Sequence, residues 1–141
     1  MITRTIRSWL YCAVALPTAL LFLASAWAQT SGVPTGAIIT GNAAGTTAAV
    51  TGTLAAVANK TTYICGFAVS STGTATISPI TVAGLVGSSM VFNNLSAGAG
   101  LLQQAFYPCI PASAPNTAIT ISTTADGTAT AVNVNSWGFL Q

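Results

Sequence analysis

The chain has 141 residues, three of them Lys or Arg, one acidic and none histidine, for a formal net charge of +2. With so few charged groups it has little to set against phosphates, and the side chains that acid–base chemistry normally uses are nearly absent. Low charge does not mean disorder here: disordered chains combine high charge with few β-branched and aromatic residues, whereas this one is rich in Val, Ile, Thr and aromatics.

Residues 1–28 read as a secretory signal-peptide helix. Arg4 and Arg7 form a positive start, the run from Trp9 to Trp27 is apolar, and Ala26-Trp27-Ala28 supplies the small-x-small pattern of a cleavage site, placing the cut between Ala28 and Gln29. The rival is an uncleaved membrane anchor, because the apolar run approaches the roughly 20 residues of a spanning helix. Pro17 and the Ala-rich end favour cleavage. The expected location is therefore outside the cytoplasm: periplasmic, cell-surface or extracellular. A membrane would be met only through this segment, if it stayed attached.

Cleavage removes Arg4, Arg7 and Cys12 and leaves Lys60 and Asp126 as the remaining charged side chains. A surface without net charge tends to associate. Nucleic acid is excluded as a partner, since no cluster of Lys or Arg remains to neutralise phosphates.

After the signal, 29–47 is Ala-, Gly- and Thr-rich and reads as a flexible lead-in, with 48–141 as the folded domain and one or two weak strands near its start. Thr61 to Ser70, "TTYICGFAVS", is the strongest strand. Strict alternation puts Tyr63, Cys65, Phe67 and Val69 on one face, which buries Cys65 beside aromatics. "ATISPITVAGLVG" reads as a strand whose phase shifts at Ser78-Pro79. Ser88 to Leu95 and Leu101 to Tyr107 are expected to pair as a hairpin through "SAGAG".

In "PCIPASAPN", Pro108, Pro111 and Pro115 predict an irregular crossing between sheets. Ile119 and Ile121 begin a second hairpin, with Asp126-Gly127 at its turn and Val132 and Val134 on the returning strand. The apolar set then changes parity to Trp137 and Phe139, which predicts a bulge near Asn135-Ser136. About seven or eight short strands without helical interludes predict an all-β fold, an antiparallel β-sandwich of jelly-roll or immunoglobulin-like kind.

The chemistry is sparse. Triads of the Ser-His-Asp or Cys-His type are excluded by the absence of histidine, and paired-carboxylate mechanisms need two acids. A Ser–Lys dyad could draw only on Lys60. Zinc wants about four Cys, His or acidic ligands and calcium several carboxylates, so no metal and no cofactor is expected. "GNAAG" and "GAG" lack the spacing and following helix of a phosphate loop. The expected catalytic set is empty.

Cys65 and Cys109 are the cysteines left in the exported chain. In an oxidising compartment an even pair most economically forms a disulfide, the alternative being two buried free thiols. Closing a loop of about 45 residues would stabilise the fold by about 4 kcal/mol in the chain-entropy picture. Tyr63, Phe67, Phe92, Phe106, Trp137 and Phe139 read first as core, since small sandwiches bury their aromatics. Trp137, Tyr107 and Tyr63 are the candidate stacking groups for a ligand; Trp137 and Tyr107 lead, because each follows or borders a break in strand phase, where side chains can be turned outward.

The run "TGTLAAVANKTTYICGF", followed by "VAGLVG", "PCIPASAPNTAITIS" and "NVNSWGF", resembles a group of small phage and prophage β-sandwich proteins over about Leu54 to Leu140. The resemblance implies a virion-associated or surface-exposed module used for assembly or contact, and carries over no catalytic residues. The signal segment departs from that pattern, because a virion component assembled in the cytoplasm does not need one. The expected function is a non-enzymatic, exported structural or surface-interaction protein of the decoration or assembly type. Its expected partners are copies of itself or other surface or virion proteins. The alternatives are a secreted glycan-binding module, and an adhesin or pilus-type subunit completed by another chain's N-terminal strand.

Overall fold

A computed structural model describes residues 36–46, 48–73, 78–93, 100–125 and 131–141. The expected signal segment with its Ala28-Gln29 cleavage site and the Asp126-Gly127 turn lie outside the described residues. Eight strands follow in chain order: β1 (Ala37–Gly45), β2 (Thr51–Leu54), β3 (Thr62–Ser71), β4 (Ile80–Ala83), β5 (Met90–Phe92), β6 (Gly100–Pro111), β7 (Ile119–Ser122) and β8 (Val132–Leu140). They form two four-stranded antiparallel sheets ordered β1-β8-β3-β6 and β2-β7-β4-β5. The expected all-β sandwich is therefore the architecture, with no helix among the described residues.

Alternating β-branched residues build the core from both sheets. Ile64, Phe67, Val69 and Val134 from one meet Leu54, Ile80, Val82, Ile119 and Ile121 from the other, all fully buried. Phe67 is the keystone, edge-on to Phe92 at 5.3 Å and tilted against Phe106 at 6.2 Å. Buried polar groups are bonded, as burial in a low dielectric requires. The Thr123 hydroxyl accepts from the Val50 amide at 3.0 Å, and the Ser136 hydroxyl donates to the Gly41 carbonyl at 3.1 Å.

Five expectations change. The lead-in is not all lead-in: residues 37–45 form β1, paired along its whole length with β8, so the sandwich begins before residue 48. Neither expected hairpin forms. β5 and β6 belong to opposite sheets, as do β7 and β8, so neither pair is joined by a ladder. β4 and β5 are the one consecutive pair that shares a sheet.

β6 also runs on through Pro108 to Pro111, where an irregular crossing was expected. Pro108 is accommodated because β6 lies at a sheet edge and its ladder with β3 is interrupted between Ala105 and Ile110, so the missing N–H removes no ladder bond there. The peptide bonds before Pro79 and Pro108 are cis. The strand phase shifts in β3, where Cys65 is an extra residue between Ile64 and Gly66 against β8, while on the other side Phe106 to Cys109 of β6 stand opposite it. This bulge lets Thr62 and Ile64 point inward together with Phe67, Val69 and Ser71. Cys65 is accordingly half-buried and does not share a face with Phe67 in the way strict alternation required.

β8, by contrast, keeps register with β1 from Val132 to Leu140 without interruption. No bulge exists at Asn135-Ser136. Val132, Val134, Ser136 and Gly138 face inward, so Trp137 and Phe139 fall on the outer face with Asn133 and Asn135.

Candidate functional site

The outer face of the β1-β8-β3-β6 sheet gathers the candidate side chains. Register fixes its rows: Ile38, Phe139, Tyr63 and Pro111 stand side by side, and the next row holds Thr40, Trp137, Gly66 and Ala105. A third row follows with Asn42, Asn135, Ala68 and Gln103. Rows on one face are two residues apart, or about 7 Å.

Trp137 lies over Gly66 on the neighbouring strand. A β-carbon at residue 66 would overlap the six-membered ring of the indole and come within 2.6 Å of the Gln104 carbonyl oxygen. Glycine here is thus a matter of close approach: the indole covers backbone that would otherwise be bare. The small residues Ala105 and Ala68 continue the floor beside it. Trp137 remains half-exposed.

Tyr63 is placed differently. Its ring stacks on Phe139 at 4.6 Å with the planes 5° apart, and Pro111 is its neighbour on β6. One ring face is therefore already occupied, and Phe139 is 9% exposed as a result. Tyr107, on the stretch of β6 opposite Cys65, is 93% exposed. Of the three aromatics expected from sequence, Tyr107 is exposed, Trp137 is half-buried over Gly66, and Tyr63 is half-buried in its stack on Phe139.

The disulfide joins Cys65 to Cys109 with an S–S length of 2.06 Å and a Cα–Cα separation of 4.3 Å. It links adjacent strands of one sheet across the bulge, not the two sheets. It anchors the part of β6 that carries Tyr107. The cysteines have no free-thiol chemistry in this state.

The outer face of the other sheet is chemically distinct. It presents Thr51, Ser122 and Thr81 in one row and Thr53, Thr120 and Ala83 in the next, with no aromatic among them. Elsewhere a shallow depression of about 400 Å³ is lined by Gly36, Ala37, Val57, Lys60, Leu140 and Gln141. Lys60 is exposed there, beside a turn held by Asn59 and Asn116, both with positive φ, in which the Asn59 amide donates to the Asn116 side-chain oxygen at 2.6 Å. No cluster of three His, Cys, Asp or Glu that could hold a metal occurs among the described residues.

Sequence reasoning missed the amides. Asn42, Asn135 and Gln103 are all exposed and share the face of Trp137. The signal was present in "VNVNSWGF": continued alternation would have set Trp137 with the asparagines. Compared with protein-family models, curated proteins and solved structures, the chain has no significant match in any of the three.

Proposed function

We propose that the protein is an exported, non-enzymatic structural or surface-contact module of the decoration or assembly type. The observation that carries this reading is the open edge of β6. From Gly100 to Tyr107 this edge strand holds no charge and no proline, with Leu101 65% and Tyr107 93% exposed. Sheet edges are ordinarily guarded by charges, prolines or short length, because unpaired backbone groups recruit another strand. A chain left with Lys60 and Asp126 has almost no charge repulsion to oppose association.

Three further points support it. The interleaved strand orders are those of a jelly roll, an architecture used by both capsid and lectin domains, although fold alone assigns no function. The disulfide suits an oxidising compartment and so an exported chain. The resemblance to phage-encoded sandwich proteins points to assembly or surface contact. The pilus-type alternative draws less support, since β1 fills the edge beside β8 in its own chain.

Sedimentation velocity of the exported protein over a wide concentration range tests the reading. Concentration-dependent association through β6 is the expected result. A strict monomer that also binds no cell or particle surface would remove it.

A further inference from the structure

The β1-β8-β3-β6 face carries a more specific meaning than contact in general. Its central row pairs a large aromatic with a floor of small residues, and the adjoining row is made of carboxamides. The opposite sheet, built from the same Thr-rich composition, has neither.

We propose that this face binds a neutral polysaccharide, with one sugar ring stacked on the Trp137 indole and neighbouring hydroxyls held by the Asn42, Asn135 and Gln103 amides. The proposal rests on the reading of the protein as a contact module and names what one of its surfaces contacts.

The chemistry fits group by group. The faces of aromatic rings are electron-rich, and the C–H bonds on one side of a pyranose ring present the weakly positive partner they attract. Trp137 offers such a face, fixed in place by its seat on Gly66. A rigid aromatic also gives up little conformational entropy on binding. Each amide offers two donors and an acceptor, which matches a hydroxyl that both donates and accepts. The amide row runs about 7 Å from the indole along the strands, so a chain of several sugars can touch both.

Tyr107 extends the surface at the β6 edge as a second aromatic, fully open to solvent. The neutrality of the ligand follows from charge. This face presents no Lys, Arg, Asp or Glu among its described residues, so an anionic polymer would find no cation to pair with its carboxylates or sulfates.

Charge-shift native gels, in which a bound anionic dye supplies the mobility that an uncharged chain lacks, cast with neutral polysaccharides (β-glucan, mannan, xylan and galactan in separate gels) and with alginate as the anionic comparison, provide the test on protein as the cell exports it. The expected result is retarded migration in at least one neutral gel and none in alginate. Trp137→Ala should weaken the retardation about tenfold, the scale of one lost aromatic contact. Tyr107→Ala, at a side chain that is 93% exposed and cannot unsettle the fold, should weaken it severalfold. Thr120→Ala on the other sheet should leave it unchanged.

Migration unaffected by every neutral gel would overturn the proposal. So would retardation that survives both aromatic substitutions, retardation in alginate alone, or binding to phosphatidylcholine vesicles in place of the polysaccharides. Association through β6 is read separately by sedimentation, so blank gels with intact association sink this proposal alone. Retardation of a strictly monomeric protein would leave it standing and remove the β6 contact.

Discussion

The indole of Trp137 occupies the space in which a side chain at residue 66 would stand. Gly66→Ala should therefore displace the ring or strain the sheet, at a cost of about 1–3 kcal/mol, the usual range for overpacking a close contact. Chemical denaturation of the variant measures the loss, and near-ultraviolet circular dichroism reports the altered indole. A variant as stable as the parent with an unchanged spectrum would show that Trp137 does not rest there.

The Cys65–Cys109 bridge closes a segment with a sequence separation of 44. Replacing both cysteines by serine should lower stability by about 4 kcal/mol at most, since engineered losses often fall short of the chain-entropy value. An intact mass of the exported protein, with and without reductant, should show a difference of two hydrogens and a chain beginning at Gln29. Identical masses would mean free thiols.

The buried Thr123 hydroxyl is the acceptor for the Val50 amide, and it also reaches the Val50 carbonyl at 3.5 Å. Thr123→Val keeps shape and volume but strands a buried amide. A loss of about 1–3 kcal/mol is expected on desolvation grounds, whereas Thr120→Val, on the outer face of the adjoining β7, should cost little. Equal effects at the two positions would argue against this bond.

The chain has no histidine, the side chain whose ordinary pKa lies between about pH 5 and pH 8. A stability nearly flat between about pH 5 and pH 7 is therefore expected, since the group that most often couples folding to proton binding there is missing. Thermal melts at several pH values check this directly. A slope in the melting temperature over that interval would contradict the expectation.

How far the sequence could be read follows from where its alternation holds. β-branched alternation in "TAITIS" marked β7, and the inward Ile119 and Ile121 match it. In β3 the same reading failed at Cys65, because one inserted residue reverses the face of everything after it. In β8 the error was the opposite. The inward positions 136 and 138 are Ser and Gly, chosen by close approach rather than hydrophobicity: the Ser136 hydroxyl bonds to Gly41, and Gly138 lies against the Tyr63 backbone. Small inward residues made the outward aromatics look like a new apolar phase. The strand order was invisible for a related reason, since nearly every connection crosses between sheets and leaves no local hairpin signature.

The uncharged edge of β6 is proposed to meet another molecule, a second copy in the simplest case. Sedimentation velocity of the exported protein and of Leu101→Lys, compared over a hundredfold range of concentration, tests it most directly. The substitution places a guarding charge at a residue that is 65% exposed, so the fold should persist. The expected result is growth in sedimentation coefficient for the parent and a constant monomer value for the variant. Association that is identical in the two proteins would contradict a contact through β6.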